Sequence, residues 1–233
     1  MPPTLFGTEH ILYIVISAIL GGASLLLAKI FARTEKAKNI FLKGLAVFLF
    51  IAIATNRLSQ VFRYETVQWF RIIPDSYCGM TSFCLSLAVL LGKRNNPALH
   101  FLWPLGLFGG ISTVAYATFV GQGATLFYLP TISGLVHHSL SAMLVIALLL
   151  FKQIDITYKK WHYTLFGFTA YLTVGTFLMH FFPISDAFHI AEPLLPGTPL
   201  TTWVMAPIYA VAYAIALLIA AQVKKKRRAT ERD

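Results

Sequence analysis

The sequence predicts an all-α membrane protein: a polytopic bundle of seven transmembrane helices, N-terminus outside and C-terminus cytoplasmic. Three observations predict it. Of 233 residues, 57% are hydrophobic and only 12% charged, with a mean hydropathy of +0.69; a soluble domain carries about 25% charged residues. The apolar residues fall into seven runs, each close to the ~20 residues that cross a bilayer as a helix. The basic residues gather in the connections that seven crossings leave on one side.

The first run covers about residues 9–32. No small-residue cleavage site follows it, so it reads as a retained helix and not a secretory signal. The second, about 39–62, carries Asn56 and Arg57 near its end. The third, about 74–92, opens at Pro74 and holds both cysteines, Cys78 and Cys84. Six positions apart on one helix, they point to different faces and do not bridge. The fourth, about 98–119, contains Pro104, Gly106, Gly109 and Gly110, which suit a kink or close helix packing. The fifth, about 130–152, is interrupted by His137 and His138. The sixth, about 161–182, ends near His180, and the seventh covers about 201–223. Strands of a membrane barrel would be half as long and would alternate apolar with polar. The whole chain, 1–233, reads as one transmembrane domain without repeats or low-complexity segments.

Sixteen of the 19 Lys and Arg residues lie in the connections after the first, third and fifth runs or in the tail. Only Arg57, Arg63 and Arg71 fall towards the other side. This bias sets the orientation. It also gives the net charge of +10 a topological meaning, with some attraction for anionic headgroups, and no nucleic-acid partner is expected. Of the outer connections, residues 120–129 are uncharged. Residues 183–200 form the longest, with four prolines, Asp186, His189 and Glu192. This stretch reads as a lid, a partner surface or a passive turn.

Ionisable groups inside a membrane are costly, so each is a functional-site candidate. His138 lies ~12 Å below the outer end of the fifth helix and Cys78 ~6 Å below Pro74, at the ~1.5 Å helical rise. Asn56, Arg57, His180, Glu9 and His10 also fall towards outer ends, whereas the inner half is almost purely aliphatic. The shared depth predicts one polar cavity in the outer half. Each member also has a plainer reading. Arg57 can snorkel, His10 and His180 can be interfacial, Glu9 solvated, and both cysteines can be small core residues. His137 and His138 stand ~100° apart around the helix, so one of them can serve as a hydrogen-bond partner or interhelical polar contact.

Several features together resemble the YwaF family of bacterial seven-span membrane proteins. They are an opening histidine (His10), the element Ile73-Pro74-Asp75-Ser76-Tyr77-Cys78, and His137-His138-Ser139 in the fifth span. That family is similar to an animal transmembrane acyltransferase that builds polyunsaturated ether phospholipids, and more distantly to membrane hydrolases of fatty-acid esters of hydroxy fatty acids. The resemblance implies an integral protein of a bacterial plasma membrane. It puts Cys78 in the place of the nucleophile and His138 in that of the base. The family's Leu-Pro-x-His-x-Cys has Ser76 here in place of its histidine, and its Ser-His-Gly has Ser139 in place of its glycine. His137, absent from the family pattern, is available to compensate.

The expected function is acyl transfer or lipid ester hydrolysis on a phospholipid or other acyl-lipid. Acyl transfer needs a nucleophile, a base and an oxyanion stabiliser. A thiol becomes reactive when paired with a histidine or a cation, which gives Cys78, His138 and His137 the catalytic roles. Asn56 or Arg57 would hold a headgroup or an oxyanion, with His10 and His180 beside the substrate. No cofactor is expected. Two rivals remain. One is a zinc hydrolase, using His137 or His138 with His180 and His10 in a tetrahedral site, although no tight His-x-x-x-His pair is present. The other is a small-molecule or ion transporter with a His/Arg relay, although no inverted repeat or charged inner path is visible.

Overall fold

In the computed structural model the described residues are 6–63, 65–117, 125–195 and 197–230, with side chains to residue 223. They form seven α-helices: α1 (Thr8–Phe31), α2 (Glu35–Val61), α3 (Tyr77–Leu91), α4 (Pro97–Ala115), α5 (Leu129–Leu150), α6 (His162–Phe181) and α7 (Thr202–Thr230). Short 3-10 turns add Trp69–Ile72 before α3 and Tyr158–Lys160 before α6. Among the described residues there is no strand. Six helices are long and apolar enough to cross a membrane, and α3 is shorter. The chain is a helical integral membrane bundle.

Side-chain caps set three of the starts. The Thr34 hydroxyl accepts from Ala37 N–H at 3.1 Å ahead of α2, and the Ser76 hydroxyl from Gly79 N–H at 3.2 Å ahead of α3. The Asn96 carbonyl accepts from Leu99 N–H at 3.2 Å ahead of α4, with Pro97 in the first turn. Each satisfies a donor that the helix itself leaves open. The expected span at 74–92 contracts to the 15 residues of α3. Residues 74–76 are instead non-helical, part of a link that follows the 3-10 turn and is fastened to α2 by Arg57. In the other direction α7 runs seven residues past the expected 223, carrying Lys224 to Arg228 on continued helix. The 120–129 connection is described only from residue 125.

Helices α2, α3, α4 and α5 form the inner ring, with α1 laid on α5, α6 on α4 and α7 on α6. Close approach of α4 to α5 depends on two glycines one turn apart. A Cβ on Gly110 would sit 2.6 Å from the His138 carbonyl oxygen, and one on Gly106 3.0 Å from Ser141 Oγ. Without water's driving force, such close backbone contact is what holds membrane helices together. Gly109, between them, faces elsewhere: its Cβ would point at Cys78 Sγ, 3.1 Å away. By contrast α1 buries only His10 and Ala28.

The basic connections meet at one end of the bundle. Arg94 donates to the Lys152 carbonyl at 2.8 Å, and Asn95 N–H to the Gln153 carbonyl at 3.0 Å. At the opposite end lie the connections 62–76, 125–128 and 182–201.

Candidate functional site

At that opposite end a cavity of about 390 Å³ lies among α3, α4, α5, α6, α7 and the 183–200 loop. Cys78 from α3 and His138 from α5 both line it. Thr113 of α4 is in hydrogen-bond reach of the thiol. Gly109 leaves room for the sulfur. His138 lies beside His137, ring centroids 4.2 Å apart. His137 faces away, towards α3, where its Nδ1 pairs with Ser82 Oγ at 3.1 Å. The adjacent histidines thus divide their roles: His137 is a polar contact between α3 and α5, and His138 presents its ring to the cavity. The His138 ring makes no hydrogen bond to another described residue.

The far wall comes from α6, α7 and the loop: Phe168, Met205, Tyr209, Leu194 and His189. The Tyr209 hydroxyl is out of contact with solvent and has no partner among the described residues. His189 Nδ1 stands 3.8 Å from Asp186 Oδ2, and the other Asp186 oxygen accepts from Ala191 N–H at 2.9 Å.

The loop is fastened in place. Phe188 N–H donates to the Asp75 carbonyl at 2.8 Å and Thr202 N–H to the His189 carbonyl at 2.7 Å. The Thr202 hydroxyl, a donor to the Phe188 carbonyl, also meets the Tyr77 hydroxyl. Phe188 and His189 both have positive φ, 55° each, a left-handed conformation that is uncommon outside glycine. It turns Phe188 inward, 1% exposed, onto the rings of Tyr77 and Tyr171, and leaves His189 over the cavity.

The remaining sequence-predicted residues are placed differently. Arg57 is buried, but its guanidinium does not face the cavity. Nε donates to the Arg71 carbonyl at 2.9 Å, Nη2 to the Ile73 carbonyl at 3.0 Å, and Nη1 pairs with Asp75 at 3.1 Å. It neither snorkels nor reaches a ligand; it clamps the link before α3. Asn56 Nδ2 donates to the Pro130 carbonyl at 3.0 Å and Ser133 Oγ at 3.2 Å, joining α2 to α5. His10 is buried with both ring nitrogens engaged, one by Phe6 N–H at 3.1 Å and one by the Val114 carbonyl at 2.8 Å. His180 is exposed beside Phe181 at the end of α6. None of these four residues lines the cavity with His138: Arg57, Asn56 and His10 are engaged by other groups of the protein, and His180 lies exposed at the end of α6. Among the described residues no three His, Cys, Asp or Glu side chains are grouped as a metal ion would require.

The aliphatic inner half has an exception. His100 of α4, 1% exposed, lies at the basic end with Asn95 Oδ1 2.8 Å and Lys160 Nζ 3.1 Å from its Nε2. Tyr163 stacks on the ring. The signals available in sequence were its place one turn into α4 and the Asn95-Asn96-Pro97 turn ahead of it.

Compared with known proteins, the chain matches no family model, no curated protein and no solved structure.

Proposed function

We propose that this protein is a membrane-embedded acyltransferase or lipid ester hydrolase that works through an acyl-Cys78 intermediate. The observation that carries the reading is the convergence of Cys78 and His138, from different helices, on one cavity. A thiol and an imidazole lining one cavity are the nucleophile and base that acyl transfer requires. His138 removes the thiol proton. The sulfur attacks the acyl carbonyl, the ester C–O bond breaks, and the acyl group transfers to an acceptor hydroxyl or to water. The oxyanion role falls to the Tyr209 hydroxyl, buried in the cavity wall and unpartnered among the described residues. A preorganised donor of this kind is worth far more in a water-poor site than in solution. Asn56 and Arg57 position the elements that carry Cys78 and His138.

The topology that fits is seven crossings with the basic end cytoplasmic, which puts the cavity in the outer half, close to headgroup level. The resemblance of Ile73–Cys78 and His137–Ser139 to the YwaF family supports the same chemistry. A phospholipid or other acyl-lipid is the substrate, since Leu105, Phe168, Leu194 and Met205 give the cavity an apolar surface for an acyl chain beside its polar groups.

The test is intact mass spectrometry of the purified protein after incubation with a phospholipid mixture, for the wild type, Cys78→Ala and His138→Ala. An acyl-mass adduct on the wild type that vanishes in Cys78→Ala supports the intermediate. Turnover that survives Cys78→Ala rejects it.

A further inference from the structure

The cavity is lined by a second imidazole, from the 183–200 loop, and we infer that His189, with Asp186 beside it, is the catalytic acid and base for the oxygen side of the reaction while His138 serves the sulfur side. This rests on the acyl-transfer reading above. Three observations carry it. His189 lines the cavity that Cys78 and His138 line. Of the two cavity histidines, only His189 has a carboxylate within ion-pair distance, Asp186 Oδ2 at 3.8 Å from its Nδ1, a neighbour of the kind found beside catalytic imidazoles. Its position is imposed by construction: consecutive left-handed residues and bonds to Asp75 and Thr202 hold the loop over the site. A passive connection would have no need of two uncommon backbone conformations in succession.

The steps balance with two histidines. In this cycle His189, with Asp186 beside it, gives the first proton to oxygen, and His138 takes the proton from sulfur. In the first half, the Cys78 thiol proton passes to His138 and the C–S bond forms. The ester C–O bond then breaks, and the departing oxygen takes its proton from His189. In the second half, the acceptor hydroxyl gives its proton to the now neutral His189 and its oxygen attacks the thioester carbonyl. The C–S bond breaks, and the thiolate recovers its proton from His138. Both histidines return to their starting states, and no oxidant or co-reactant is required.

The division predicts a dependence on the leaving group that a structural residue would not show. A nitrophenyl ester releases a stable anion that needs no proton, whereas an alkyl ester needs one. The experiment uses the full-length protein in detergent with a long-chain nitrophenyl ester and a glycerol ester of the same acid. Acyl-Cys78 is followed by intact mass, and its decay by adding a lysolipid acceptor. His189→Gln is expected to keep acylation by the nitrophenyl ester within about 2-fold. It is expected to slow acylation by the glycerol ester about 10²-fold, the usual size of an acid–base contribution, and to slow transfer to the acceptor similarly, so that acyl-enzyme accumulates. Asp186→Asn should show the same pattern more weakly. His138→Gln should slow both donors alike. If His189→Gln affects both donors equally, or neither, the assignment is overturned. If Cys78→Ala still transfers acyl groups, the covalent reading itself fails, and the two failures are told apart by that variant alone.

Discussion

Two groups of buried polar residues share one end of this bundle and differ in what their polar atoms face. Around Arg57 and Asn56 they face the protein: three guanidinium nitrogens meet Asp75 and two backbone carbonyls, and the Asn56 amide meets Pro130 and Ser133. Around Cys78 and His138 they face a cavity of about 390 Å³, with Tyr209 in its wall. Burying a polar group is costly in either case. In the first group the cost is offset by hydrogen bonds that fix the fold. In the second, the Tyr209 hydroxyl and the His138 ring have no partner among the described residues, an arrangement that persists where a ligand completes it.

The sharpest way to break that comparison is Cys78→Ala. If the second group is chemical, acyl transfer should fall to background, a loss on the order of 10⁴-fold or more, as when a nucleophile is removed from a catalytic unit. Thermal unfolding in detergent should barely move, since a small side chain beside a cavity is replaced by a smaller one. A large drop in stability with retained turnover would assign Cys78 to the first group instead.

Arg57→Met should do the reverse. It leaves Asp75 and two carbonyls without their partner, and breaking one side of a buried pair costs about 3–5 kcal/mol. The link 68–76 should loosen, seen as protease cleavage or hydrogen exchange there, and activity should fall only as folded protein is lost. A stable, inactive Arg57→Met would return Arg57 to substrate binding.

Most of the fold was legible in sequence because hydropathy acts locally: each long helix shows as its own apolar run. The start of α3 was not legible, because the Ser76 cap that sets it follows a link held by Arg57 from 14 and 16 residues earlier in the chain. The site was half legible. Cys78 and His138 stood out as polar residues at similar depth, but so did Asn56, Arg57, His10 and His180, and only three-dimensional packing separates the pair that share a cavity from the four that do not. His189 sits in a Pro-rich loop where no periodicity applies, and its left-handed backbone leaves no mark in composition. Tyr209 looked like any interfacial aromatic on an apolar helix. His100 was passed over because a single histidine one turn into an apolar run resembles an interfacial residue, and its partners Asn95 and Lys160 come from separate connections.

The glycines of α4 sharpen the comparison at closer range. Gly109→Ala puts a methyl 3.1 Å from Cys78 Sγ, so the thiol must shift. The shift needed is a few tenths of an ångström, well short of the ~1 Å misplacement that costs on the order of 10²-fold, so a smaller fall, of about 10-fold or less, is expected with the fold intact. Gly110→Ala, one residue on, drives a methyl to 2.6 Å from the His138 carbonyl oxygen. It should separate α4 from α5 and destabilise the bundle by about 1–3 kcal/mol. Reversed outcomes would place the cavity wall on the wrong face of α4.

Asn56→Ala carries the smallest effect and the finest test. Its amide bonds join α2 to the first turn of α5, the helix that bears His138. Interhelical polar contacts in membranes are worth about 0.6 kcal/mol on average, with a maximum near 1.7, because the separated helices find other partners. A destabilisation of about 1 kcal/mol is therefore expected, with acyl-enzyme formation within a factor of about 3 of wild type once corrected for folded fraction. Asn56 has no atom in the cavity lining, so a specific loss of acylation beyond that would mean that the start of α5 sets the angle of the His138 ring. The satisfied group would then be tuning the unsatisfied one through a single helix.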